Sequence, residues 1–102
     1  MRAQDGLSDA FLRCDPPADV MHSMIMSMGA YLGELIVRAS GGRWGYDAEL
    51  RQAVIETGDG VVGWPHNKVA KRFEQGPQHS LYQYYRYAVH PEQREAIAAG
   101  TA

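Results

Sequence analysis

The chain has 102 residues, 45% of them hydrophobic and 22% charged, with a net charge of −2. These are ordinary values for one globular domain with a real core and little stability in reserve, and they exclude any global electrostatic pull toward nucleic acid or anionic membrane. The single cysteine, Cys14, has no partner for an intrachain disulfide, which points to a reducing compartment.

Residues 1–18 form a lead-in in which Leu7, Ala10, Phe11 and Cys14 share one face of a short helix. Asp15-Pro16-Pro17 ends it, because proline disfavours helix at the residue before it. The segment has no apolar stretch of signal-peptide length. The uncharged run 20–33 contains His22 and serines, and is shorter than the roughly 20 apolar residues that a bilayer span requires. The expectation is a cytoplasmic protein without a membrane contact.

A helix is predicted over Ala18–Ser40, with Asp19 as N-cap. Met21, Met24, Ile25, Met28, Leu32, Leu35, Ile36 and Ala39 follow helical spacing, and Ser23, Ser27, Ala30, Glu34 and Arg38 form the remaining polar strip. So apolar a helix belongs at the centre. Gly29 and Gly33 weaken it by ~1 kcal/mol each relative to alanine, so their use is the close approach of another backbone, with a strand as the expected neighbour. Gly41-Gly42 supplies the exit.

Alternating Trp44 and Tyr46 mark a strand over Arg43–Asp47, and β-branched residues mark another over 52–57. Gly58-Asp59-Gly60 is a hairpin turn, and 61–64 return as a third strand. This is a three-stranded antiparallel meander with one face on the long helix. Pro65 then opens a helix to Gln75 with Val69 and Phe73 as core residues, and Gly76-Pro77 ends it. A further helix is predicted over 78–89, burying Leu81, Tyr84, Tyr85 and Ala88. A short tail helix follows Pro91. The fold class is therefore α+β in one domain: lead-in 1–18, core 19–89 with a long central helix, meander and C-terminal helix pair, and tail 90–102.

GAYLGELIVR at 29–38, GGRW at 41–44, P-x3-V-x-K-R-x3-G-P at 65–77 and SLYQYY at 80–85 together resemble a family of small bacterial domains of unknown function. The resemblance covers roughly residues 25–87. It implies a compact α+β domain from a bacterial source, and no reaction. The chain departs from the pattern in carrying Gln78-His79 where acidic residues are expected after Gly-Pro.

No residue set signals catalysis, a metal or a cofactor. His22, His66, His79 and His90 are isolated from one another and from Cys14, whereas zinc ligands commonly come in close pairs. Neither a nucleophile elbow nor a phosphate loop is present. Glu34 has two readings: a surface pair with Arg38 worth ~0.3–0.5 kcal/mol, or a partly buried carboxylate pairing Arg43 or Arg72 and, with His66, forming a polar cluster. The cluster would be the site if the domain were an enzyme or bound a small ligand.

Residues 63–87 carry Lys68, Lys71, Arg72 and Arg86 against Glu74, a local +3 that leaves the rest of the chain at −5. A DNA-reading helix pair would need more cations, placed early in its second helix, where Arg86 is late. Nucleic acid is thus disfavoured as a partner. Exposed tyrosines favour protein contacts, so the expected function is a non-enzymatic protein-interaction module (immunity, adaptor or regulatory) that binds a protein partner or itself. Its expected contact residues are Lys68, Lys71, Tyr82, Arg86 and Tyr87.

Overall fold

The long apolar periodicity sets the centre of the molecule. In a computed structural model that describes residues 2–99, helix α2 (Ala18–Ser40) buries Met28, Leu32 and Ile36 along one stripe. Gly41 closes α2 in the left-handed conformation, at φ 69°, with its N–H returned to the Val37 carbonyl. At the other end Pro17 occupies the N-cap position, so Asp19 lies in the first turn instead of capping the helix. Its charge still complements the helix dipole there. By length and composition α2 is able to cross a membrane, which the shorter uncharged run did not suggest. In this fold the stripe packs against β1, β2, α3 and α4.

Strands β1 (Arg43–Asp47), β2 (Gln52–Glu56) and β3 (Val62–Gly63) form an antiparallel sheet in that order. Trp44 pairs with Ile55, Tyr46 with Ala53, and Ile55 with Gly63. The Gly58–Gly60 turn closes through Thr57 N–H to the Val61 carbonyl at 2.8 Å. The sheet covers α2 lightly: Ile55 is its buried residue, and β1 is largely exposed.

The most extensive contact of α2 is with α3 (Pro65–Gln75), which buries Val69 and Phe73. Here the two glycines act. A Cβ on Gly29 would overlap the His66 ring and approach its Cα to 2.8 Å, and one on Gly33 would overlap the Trp44 indole. The close neighbour is the first turn of α3 together with a tryptophan side chain, and not the strand backbone expected.

Helix α4 (Leu81–Val89) starts three residues later than predicted. The Ser80 hydroxyl accepts from Gln83 N–H and caps it, leaving Gln78 and His79 in the turn. Helix α1 (Arg2–Arg13) also departs from the expected face. It buries Gln4 and Ser8, leaves Leu7 54% exposed, and ends with Cys14 exposed. Gln4 donates to the Met28 carbonyl at 3.1 Å, and Ser8 donates back to the Gln4 carbonyl at 2.9 Å, so the polar pair fits against α2. Phe11 and Leu12 pack against the core, Phe11 meeting Phe73 of α3 at 5.7 Å between ring centroids. A 3-10 turn (Pro91–Gln93) and helix α5 (Arg94–Ala98) finish the described chain, and residues 100–102 of the expected tail lie outside it. Arg94 ties α5 down through Asp59 at 2.5 Å and the Tyr87 carbonyl at 2.8 Å.

Candidate functional site: a lysine-lined cleft

The polar cluster expected from Glu34, Arg43, His66 and Arg72 does not assemble. Glu34 accepts from Arg38 Nε and from the Trp44 indole, both at 2.9 Å, and its side chain is 46% exposed. These two donors, Trp44 foremost, hold its carboxyl below the usual range. Arg43 pairs with Glu56 across the β1–β2 ladder at 2.8 Å. His66 sits beside Trp44, with ring centroids 6.4 Å apart. Trp44 therefore touches both Glu34 and His66, while the two arginines go elsewhere.

Arg72 is buried, with 3% of its side chain exposed, and answers to α1 instead. Its guanidinium meets Asp5 at 3.3 Å and Asp9 at 2.5 Å. The same Asp5 carboxylate accepts from Ser80 Oγ, Leu81 N–H and Tyr82 N–H at 2.9–3.2 Å. It thus caps α4 from a distant part of the sequence.

The five expected contact residues divide into two groups. The guanidinium groups of Arg2 and Arg86 lie 4.4 Å and 5.7 Å from the centre of the Tyr82 ring, and Arg86 also reaches Gln93 at 2.6 Å. Tyr87 lies under Arg94 at 5.4 Å. These three join α1 and the tail to α4.

Lys68 and Lys71, the chain's only lysines, line one cleft of about 350 Å³ between α3, the end of β3 and the turn before α4. Trp64 and Tyr84 supply aromatic walls, and Asn67 and His79 add polar groups. Trp64 is fixed by its indole N–H, which donates to Asp47 Oδ2 at 3.0 Å. Lys68 Nζ lies 3.5 Å from His79 Nδ1 and 5.8 Å from the centre of the Tyr84 ring. Burial, then the neighbouring Lys71, pulls the Lys68 pKa below its ordinary value. Burial, then Lys68 and Lys71, does the same to His79. Burial pushes the Tyr84 phenol up to about 12. Among the described residues no carboxylate pairs with either lysine, whereas Arg38, Arg43 and Arg94 are each held by one and Arg72 by two.

Such a cleft can neutralise and desolvate an anion, because neither lysine has a carboxylate at pairing distance and Asp5 acts on Lys68 only from farther off. Helical spacing identified Lys68 and Lys71 from sequence. It missed His79, Asn67, Trp64 and Tyr84 as their companions. The available signal was Pro77 followed by Ser80, a stop and an N-cap that put His79 in a turn facing α3. Among the described residues no group of three His, Cys, Asp or Glu side chains is placed to hold a metal. No family model, no curated protein and no solved structure matches the chain.

Proposed function

We propose that this chain is a non-enzymatic interaction module of a bacterial cytoplasmic system, which captures an acidic segment of a protein partner in the Lys68–Lys71 cleft. What carries the reading is the convergence of both lysines of the chain, without a carboxylate partner, beside two aromatic walls. Charge complementarity names the partner's chemistry, and aromatic walls favour a peptide over a free ion.

A fluorescein-labelled peptide rich in Asp and Glu tests this by anisotropy. Binding should weaken at least about tenfold in the Lys68→Met, Lys71→Met double variant and fall with added salt. Circular dichroism should show the variant folded, since Lys71 is exposed and Lys68 lies at the cleft wall. Peptide affinity that ignores both the lysines and the salt would sink the proposal.

A further inference from the structure

The lysine cleft contains three nitrogen groups that can each give a proton to an anion, and their arrangement is more selective than charge alone. Resting on the reading above, we infer that the anion it takes is a phosphate monoester on an aromatic stem. The phosphate is held by Lys68, Lys71 and His79, and the stem lies against Trp64 and Tyr84.

Charge is the first reason. Lys68 and Lys71 bring two positive charges that no described carboxylate pairs with, Asp5 reaching Lys68 only as a weaker influence than burial and Lys71. A phosphate monoester carries about −1.5 to −2 near neutral pH, whereas a single carboxylate carries half of what the site offers to balance. Donor count is the second. Lys68 Nζ and His79 Nδ1 stand 3.5 Å apart, too far for a strong bond between them and close enough to share one ligand atom or two adjacent ones. Three terminal phosphate oxygens give each of the two ammonium groups and the imidazole an acceptor oxygen of its own, whereas the two oxygens of a carboxylate must be shared among them. Shape is the third. The volume of about 350 Å³ lies at the small end of ligand sites and suits one substituted ring and its anionic head. The two aromatic walls give a ring a face to lie on. His79 adds a coupling: the lysines and burial that keep its proton off oppose a charge that a bound dianion would favour.

The same chemistry is offered by a small aryl phosphate and by a phosphotyrosyl peptide. Titration with phenyl phosphate, benzoate, inorganic phosphate and matched peptides ending their acidic run in Tyr or phosphotyrosine separates them. The readouts are the His79 ring C–H resonance followed against pH and the Trp64 fluorescence. Phenyl phosphate should bind at least about tenfold more tightly than benzoate and more tightly than inorganic phosphate. It should raise the His79 pKa on binding, and Lys68→Met and Lys71→Met should each abolish that rise. A phosphotyrosyl peptide tighter than phenyl phosphate makes the source a protein, and equal affinities make it a small molecule. Either result upholds the phosphate site. Benzoate equal to phenyl phosphate, or an unmodified acidic peptide that binds as well as its phosphorylated form, overturns the phosphate inference and leaves the acidic-partner reading standing. No binding by any of these probes overturns both.

Discussion

Asp5 sits where two unpaired demands meet. The guanidinium of Arg72 is almost wholly removed from water, and the first amides of α4 need acceptors. One carboxylate meets both, at 3.3 Å to Arg72 Nε and 2.9 Å to Leu81 N–H. Asp5→Ala should therefore cost about 3 kcal/mol, because it uncaps a helix and takes one of its two carboxylates from a buried cation, leaving Arg72 with Asp9 alone. Arg72→Met should cost less, under about 2 kcal/mol, because an apolar chain of similar length replaces the cation and Asp5 keeps its α4 donors. Urea midpoints of the two variants check the order, and a larger loss in Arg72→Met would contradict it. Neither the Asp5–Arg72 pair nor the cap was legible in the sequence. Arg72 was recognised as a candidate buried cation, but its partners stand 67 and 63 residues away in the chain, beyond the reach of any helical or strand period.

Legibility was greatest where an element is determined by its own residues. The α2 stripe, the Gly41 exit, the Gly58–Gly60 hairpin and the Pro65 start follow from local chemistry, and each stands where the sequence put it. Element faces and ends decided by neighbours were not legible. Leu7 was expected inside and Gln4 and Ser8 lie there instead, because the α1 contact with α2 runs through a backbone carbonyl that only the folded chain supplies. The place of His79 in the cleft is hidden in the same way, because a helix over 78–89 takes it out of the turn that faces α3. The tail shows how a weak element is kept. Asp59 is held at about 2, against an ordinary 3.8, chiefly by Arg94 and then by Thr57. A folded value below the unfolded one means that this contribution is full above the ordinary carboxylate pKa and is lost as pH falls toward 2. Backbone amides of α5 should therefore lose hydrogen-exchange protection on acidification from about pH 5 to about pH 2.5, while Asp59→Asn should already lack it at the higher pH. Protection in the variant equal to that of the parent at pH 5 would show that Arg94 acts through the Tyr87 and Ala88 carbonyls alone.

Across the whole molecule, burial is uneven between the helices and the sheet. Leu32, Ile36, Val69 and Leu81 are fully buried where α2, α3 and α4 meet, while β1 is an exposed edge strand paired on one side only. Opening the β1–β2 hairpin releases few core contacts, whereas separating α2 from α3 releases the core itself. Native-state hydrogen exchange should find β1 amides exchanging first and those of central α2 and of α3 near Val69 exchanging last. Equal protection of β1 and α2 would mean that the sheet and the helices open as one unit. The lysine cleft lies at the seam of these regions, with its walls drawn from β3, α3 and α4. Capture of a ligand there should fasten the end of the sheet to the helices.

The span of the Asp5 contacts also sets a timetable for the growing polypeptide. A ribosome makes α1 well before α4, for the amides that Asp5 caps lie 76 and 77 residues downstream. Helix α2, both hairpins and α3 can assemble from sequence neighbours while α1 still waits for its anchor. Whatever α1 gains earlier from α2 and α3, its Asp5 contacts with α4 close only once α4 has been made.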